Sequence, residues 1–585
     1  MKTVWISSPG RFPTVDHDPG AWWSTAAASH ELVRFSANAA WWHHLCSDAS
    51  FSNLLHGWSW TQRLRRRLEL AAAGNSFADS ARGAHRALGD LKDPAYFGNT
   101  DLYVETLSRL NKHLENLGSI QSGLEFSLES GVRVRGLDYS DSSALSACSK
   151  QDSSLSRTVE ASLEAAPRGA GLYAFTVTCA EDLMTAMIAA RILRSREPKA
   201  HLCLADHGYE NFSLHPHMTA LREKGTLTEI FDTVLESKNE RDSLLPGLLD
   251  AVEKGDAPKG FLTLAGRPDL ARPAVKDLVA PPAEELFAHE SVVWTRISPR
   301  RCYWSRCAFC VQNNKYEDAR PPSLAEVGVA LDRVETFAAR GTRVFIFSDE
   351  ALSPAMLQMF SAGLIERGLN IRWACRSKLE KNHDRALFQQ LAQSGCFEVL
   401  YGLESVSERV LGLMDKQVRG LDKEGIRDIF KAMGEAGVGT HANLIGAFPG
   451  DTVEEVEETV DFLIETLPSV GDSTFLLNRF ALFPNTPVAA APEKFGIDSE
   501  TPSGDMPSAL NFWYGPALRE DAAAVIEALP RLREKLSQGL GWGPLLATSA
   551  GRTAFGLYSG SGHGALFKAS KNNPFRNPLK LGVTA

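Results

Sequence analysis

From residue 172 onward the chain alternates short apolar runs with amphipathic stretches. Leu172-Tyr173-Ala174-Phe175-Thr176-Val177 is a continuous run bounded by glycines and polar residues, the pattern of a strand buried on both faces. Helical spacing over 182–195, an apolar run at 200–204, a helix at 214–224 and a strand at 231–235 complete a βαβαβ pattern. Such a unit predicts a parallel, doubly wound sheet that takes ligands at the carboxyl ends of its strands. A second series starts at Val292. Its strands fall at 292–297, 343–347, 371–375, 397–401, 438–445 and 473–480, and the helices between them at 323–340, 354–368, 384–394, 406–413, 423–436 and 453–466. Strand and helix in strict alternation predict a barrel or partial barrel of (β/α)6 type with its chemistry at the strand C-termini. Upstream, Val4-Trp5-Ile6 reads as a short strand, 21–125 as mostly helical and the Ser-rich stretch 139–157 as a surface loop. The pattern therefore predicts an α/β chain: a mostly helical N-terminal region (1–157), a doubly wound domain (158–256), a Pro- and Ala-rich linker (257–288), a barrel (289–490) and a small C-terminal cap (491–585).

Length supports this division, since 585 residues correspond to about three to four domains. The formal charge of -9 opposes a nucleic-acid or anionic-membrane binder, and Arg63 to Arg67 read as a solvated helix face. Met1-Lys2-Thr3-Val4-Trp5 lacks the apolar core of a signal peptide, and no run reaches the ~18 apolar residues of a membrane span, so a cytoplasmic protein is expected. Seven of the twelve tryptophans lie at or before Trp60; helix-packing core is favoured for Trp22, Trp23, Trp41 and Trp42 over a substrate or cofactor wall. Nine cysteines are too sparse for a disulfide scaffold, and six are scattered: Cys46, Cys148, Cys179, Cys203, Cys375 and Cys396.

The other three sit in Cys302-Tyr303-Trp304-Ser305-Arg306-Cys307-Ala308-Phe309-Cys310, directly after the first strand of the second series. Three soft thiolates at a barrel strand end can converge on an iron-sulfur centre or zinc and leave one coordination position open. Structural zinc is disfavoured because a fourth ligand is missing at the usual spacing; the nearest histidines are His289 and His383.

This segment resembles the radical S-adenosylmethionine (SAM) superfamily, whose usual motif is CxxxCxxC after the first strand of a partial TIM barrel. Here the first gap is four residues, and Phe309 matches the family's aromatic position. The resemblance runs in the family's order through about 290–490: Ser348-Asp349-Glu350, Trp373 to Lys378 with Arg376, Tyr401-Gly402-Leu403-Glu404-Ser405, and Leu444-Ile445-Gly446 to Thr452. It implies that Cys302, Cys307 and Cys310 hold a 4Fe-4S cluster whose open iron chelates SAM. It further implies that Phe309, Ser348, Asp349, Glu350, Arg376, Glu404, Ile445 and Gly446 line the SAM site, with Gly446 allowing close approach and Thr452 capping the next helix.

A βαβαβ domain directly before such a barrel resembles the Rossmann-like cobalamin-binding domain of cobalamin-dependent radical SAM enzymes. The resemblance places cobalamin contacts at Thr176 and Thr178, at Ala205-Asp206-His207-Gly208 and at Glu236-Ser237. Only one glycine stands where that subgroup has a Gly-Gly pair, and the DxHxxG signature is absent, which implies a base-off corrin without His207 as ligand. The implied function is a C-methyltransferase acting on a natural-product intermediate or precursor peptide, with an electron donor such as flavodoxin or ferredoxin and neither nucleic acid nor membrane as partner. Two alternatives stay open: a radical SAM enzyme catalysing a non-methylating cyclisation, rearrangement or oxidation, and an iron-sulfur regulatory or sensor protein. No motif names the substrate.

Overall fold

A computed structural model describes residues 1–9, 30–72, 76–97, 100–127, 131–206, 214, 217–236, 241–272, 292–297, 302–313, 324–470, 473–500, 504–507 and 509–540. The chain divides into two compact units, one of residues 1–97, 102–291 and 503–508, the other of 98–101, 292–502 and 509–585.

In the first unit the strands are β1 (Lys2–Ser7), β2 (Glu31–Ser36), a hairpin of β3 (Leu124–Ser127) and β4 (Gly131–Val134), β5 (Leu172–Val177), β6 (His201–Asp206), β7 (Thr233–Leu235) and β8 (Gly260–Leu262). All but the hairpin form one parallel six-stranded sheet in the order β2-β1-β5-β6-β7-β8. β5 and β6 are buried at every position, their central apolar residues flanked in β6 by buried His201 and Asp206. Helix Ala180–Arg196 follows β5 and helix Met218–Lys224 precedes β7. Trp41 and Trp42 are fully buried and meet edge to face at 5.4 Å, so these two are core; Trp22 and Trp23 lie outside the described residues.

Three expectations for this unit change. The Ser-rich 139–157 stretch is not a loop: it folds into helices Ser142–Ser149 and Ser154–Ser162. Serine hydroxyls satisfy backbone carbonyls within the helix, as Ser149 does with Ser146 O, and so can be buried. The Pro- and Ala-rich segment 257–288 contributes edge strand β8, while its residues 273–288 lie outside the described ones. The N-terminal region supplies two strands, β2 having been hidden because its side chains are only half buried. Far along the chain, Asp505 also belongs here: its carboxylate takes the Ser142 N–H at 2.8 Å and the Ser142 hydroxyl, with Lys224 Nζ at 3.4 Å.

The second unit holds β9 (Val292–Thr295), β10 (Val344–Phe347), β11 (Arg372–Ser377), β12 (Cys396–Glu404), β13 (Gly439–Gly446) and β14 (Ser473–Arg479), all parallel and paired in chain order. This is the expected six-stranded (β/α) series. Ser353, Asp384, Ser407, Asp422 and Thr452 each cap the following helix through a side-chain oxygen, so the polar residue after a strand or turn sets where the next helix begins. The C-terminal region is more regular than expected: β15 (Ile497–Ser499) pairs with β16 (Phe512–Tyr514), and helix Arg519–Gly539 is tied to helix Val453–Thr466 by Lys535, 2.6 Å from Asp461 and 2.9 Å from Glu457. No described helix is long and apolar enough to cross a membrane.

Candidate active site

The C-terminal ends of β9 to β13 carry the barrel's chemistry. Cys302, Cys307 and Cys310 share one loop, and that loop is held in shape by its own neighbours. Ala308 N–H donates to Met414 O at 2.8 Å, Val488 N–H to Ala308 O at 3.1 Å, and Trp304 Nε1 to Asp415 O at 3.2 Å. Arg306 pairs with Asp415 at 2.8 Å, and the Tyr303 hydroxyl donates to Glu380. Ser305 and Asp415 adopt left-handed backbone, with φ of 46° and 47°, which a non-glycine residue holds only when its surroundings impose it.

The sulfurs share an electrostatic environment. Burial pushes the Cys307 thiol up, with Cys302 and Glu404 adding to the rise and Lys416 and Lys378 opposing it. Cys310 Sγ accepts the Gln312 N–H at 3.4 Å. Among the described residues no three His, Cys, Asp or Glu side chains form a chelate for a single ion. A four-iron cluster asks for none, because each thiolate binds a different iron. Three thiols on one loop, with the Lys378 and Lys416 ammonium groups acting on Cys307, fit that cluster as a donor set.

Glu404 ends β12 at φ 61°, after a register shift against β13, and its Oε1 lies 2.7 Å from Lys416 Nζ. Glu404 is buried and the Lys416 side chain nearly so, at 12% exposed. Burial opposes the Lys416 charge, but Glu404 and then Cys307 outweigh it and hold the ammonium above its ordinary range. Gly402 makes room for the pair, since a Cβ there would collide with both charged ends. Lys416 also lies 5.7 Å from the centre of the Phe309 ring. Phe309 and Ile445 pack on one apolar cluster with Ala308, Met414 and Phe448.

The acidic turn after β10 forms a second group. Glu350 pairs with Arg296 at 2.7 Å and lies 4.0 Å from Arg376. Asp349 accepts the Ile297 N–H at 2.8 Å, and the Ser348 hydroxyl donates to Thr295 O at 3.2 Å. This turn thus fixes the exit of β9 from which the cysteine loop departs. At Gly446 a Cβ would meet Leu529 Cδ2 at 2.7 Å, so its missing side chain admits helix Arg519–Gly539.

Asp451, in the turn after β13, is buried with Oδ1 unpartnered among the described residues, while Oδ2 accepts the N–H of Ala447, itself at φ 61°. Burial and then Glu455 raise its pKa to about 7, against backbone N–H groups and Arg409. A carboxyl raised on folding stabilises the fold below its unfolded pKa, and that contribution is lost as pH rises through the folded pKa. Asp451→Asn should therefore remove a stability loss on the order of 2 kcal/mol between pH 5 and pH 8, read as a smaller change in urea midpoint than the parent shows.

At the first sheet's strand ends, Thr176 Oγ1 accepts the Trp5 indole N–H at 3.0 Å, Asp182 takes the Thr178 N–H at 3.0 Å, and Glu236 pairs with Arg222. Ala205 belongs to a core cluster with Trp5, and Asp206 is buried. His207, Gly208 and Ser237 lie outside the described residues. Lys378 and Lys416 are the site residues that sequence reasoning left without a role; their signal was position, each at the end of a motif that closes a strand or turn.

Residues 297–463 match the family model of the Radical SAM superfamily. A methyltransferase of Pyrococcus horikoshii, described as uncharacterised, is 25% identical over 265 residues, spanning 42% of this chain and 56% of that relative. Among solved structures, the radical SAM methyltransferase TsrM of Kitasatospora setae, with tryptophan substrate and a SAM analogue bound, is similar at 15% identity and a TM-score of 0.46, covering 70% of this chain and 89% of that one. The cobalamin-dependent SAM radical enzyme OxsB, with aqua-cobalamin bound, is similar at 13% identity and a TM-score of 0.43, covering 69% of each chain.

Proposed function

We propose that this chain, a radical SAM enzyme by virtue of residues 297–463, is a cobalamin-dependent C-methyltransferase acting on a natural-product intermediate or precursor peptide. The observation that carries the finer reading is the six-stranded parallel sheet that precedes the barrel in the same chain, its β5, β6 and β7 ending at 177, 206 and 235. The kinship with a methyltransferase relative supports it.

Cys302, Cys307 and Cys310 would hold the cluster, which when loaded supplies the electron that cleaves SAM, while cobalamin would carry the methyl group. The chain's own residues do the rest. Arg296, Asp349 and Glu350 brace the loop exit, and Phe309, Ile445 and Phe448 pack as an apolar cluster around Ala308 of the cysteine loop. Tyr303 keeps its phenolic proton, because burial and then Glu380 push its pKa up. A one-electron donor such as flavodoxin or ferredoxin would serve the site.

The test is anaerobic reconstitution with and without cobalamin, followed by incubation with methyl-deuterated SAM and candidate substrates. The reading expects a base-off cobalamin spectrum that persists in His207→Ala, and transfer of label. Protein that cleaves SAM yet carries no cobalamin after production with ample cobalamin would replace the methyltransferase with a non-methylating radical enzyme.

A further inference from the structure

Lys378 directly follows β11 and is only 5% exposed. Its Nζ is buried and finds no hydrogen-bond acceptor among the described residues. What faces it is the ring of Trp304, whose centre lies 3.8 Å away. Trp304 occupies the four-residue gap between Cys302 and Cys307, and its ring is held firmly. Its indole N–H is anchored on Asp415 O at 3.2 Å, and the Arg306 guanidinium packs 5.3 Å from the same ring while pairing with Asp415.

A cation over an indole face gains less than burying an ammonium costs. The imbalance registers on Lys378 itself: burial, and then repulsion from Lys416, lower its pKa to about 8. The groups that act the other way are Glu380, Cys307 and Cys302. Glu380 accepts the Tyr303 hydroxyl, and the charge of Lys416 is already matched by Glu404 at 2.7 Å. Lys378 is therefore a buried positive charge without a direct ion pair among the described residues, balanced at a distance by Glu380 and from the cysteine side.

We propose that Lys378, seated on Trp304, is a positioning residue that supplies a positive charge not held in a direct ion pair beside the iron-sulfur centre and so favours the cluster's reduced, more negative state. This rests on the cluster assigned above to Cys302, Cys307 and Cys310. Electrostatic surroundings are one of the means by which a protein sets cluster potentials. The insertion of a fourth residue between the first two cysteines gains a purpose, because it places the tryptophan that holds the lysine.

The test is an EPR-monitored redox titration of the full-length, anaerobically reconstituted protein without SAM, comparing Lys378→Met and Lys378→Arg with the parent. With normal iron content, Lys378→Met should show a reduced-to-oxidised ratio about tenfold lower at the parent's midpoint, which is about 59 mV for a one-electron couple. Lys378→Arg should stay within about twofold, since the guanidinium keeps the charge. An unchanged midpoint in Lys378→Met with full iron would overturn the proposal, as would cluster loss in both variants, which would assign the side chain a structural role. Cluster loss in Lys378→Met alone, with Lys378→Arg at the parent's midpoint, would uphold the need for charge. If the parent itself takes up no cluster, the cluster assignment fails, and this inference with it.

Discussion

Replacing Cys307 by alanine is expected to remove the cluster iron and take SAM cleavage to background, while leaving the fold intact. The loop around Cys307 draws its shape from contacts that do not involve the thiol: Ala308 to Met414 and Val488, and Arg306 to Asp415. Ala308 packs in the apolar cluster with Met414 and Phe448, which the substitution does not touch. The loss would therefore be chemical, since two thiolates in place of three cannot hold three irons and leave the fourth for SAM. Iron content, the visible absorption of the reconstituted protein and 5'-deoxyadenosine yield would report it, and far-UV circular dichroism would show the fold unchanged. Cys396→Ala serves as the control, because Cys396 is buried at the start of β12, away from the loop. Full iron and undiminished 5'-deoxyadenosine in Cys307→Ala would refute the assignment.

The second large effect is expected at Lys416. Changing it to methionine leaves the Glu404 carboxylate buried and unpaired, which costs about 3–5 kcal/mol. Glu404→Gln on the same background removes the stranded charge, so the double variant should recover most of the lost stability even though two charges are gone. The two single variants and the double form a cycle read from urea midpoints. A double variant no more stable than Lys416→Met would mean that the lysine acts through packing on Phe309 and not through the ion pair.

The alternation of apolar runs and amphipathic stretches was enough to place the barrel. Its six strands and the helices between them fall within a few residues of where periodicity puts them, because the strands are rich in apolar residues and the five helices that follow β10 to β13 open on a Ser, Thr or Asp cap. The first unit was less legible. β2 carries Glu31 and Arg34 among half-buried side chains, and β8 is three residues beside prolines; neither stands out from its flanks. Serines in 142–154 were misread because composition cannot distinguish a solvated hydroxyl from one turned onto its own helix. At the site, spacing found the three cysteines and strand-end position found Glu350 and Glu404. Pairing was beyond its reach: that Lys416 meets Glu404 over twelve residues, or that Lys378 rests on Trp304, depends on how strand ends and loops converge in three dimensions.

Asp505 limits how the chain can be treated as interchangeable modules. A fragment cut after residue 291 would appear to contain the whole doubly wound sheet, and a barrel starting at 292 would appear complete without it. Yet the cut strands the Ser142 amide and hydroxyl without the carboxylate that receives them. Exchanging the upstream domain between relatives therefore means transplanting two separate stretches, the second a few residues near 505, or redesigning the N-terminus of helix Ser142–Ser149 to close on itself.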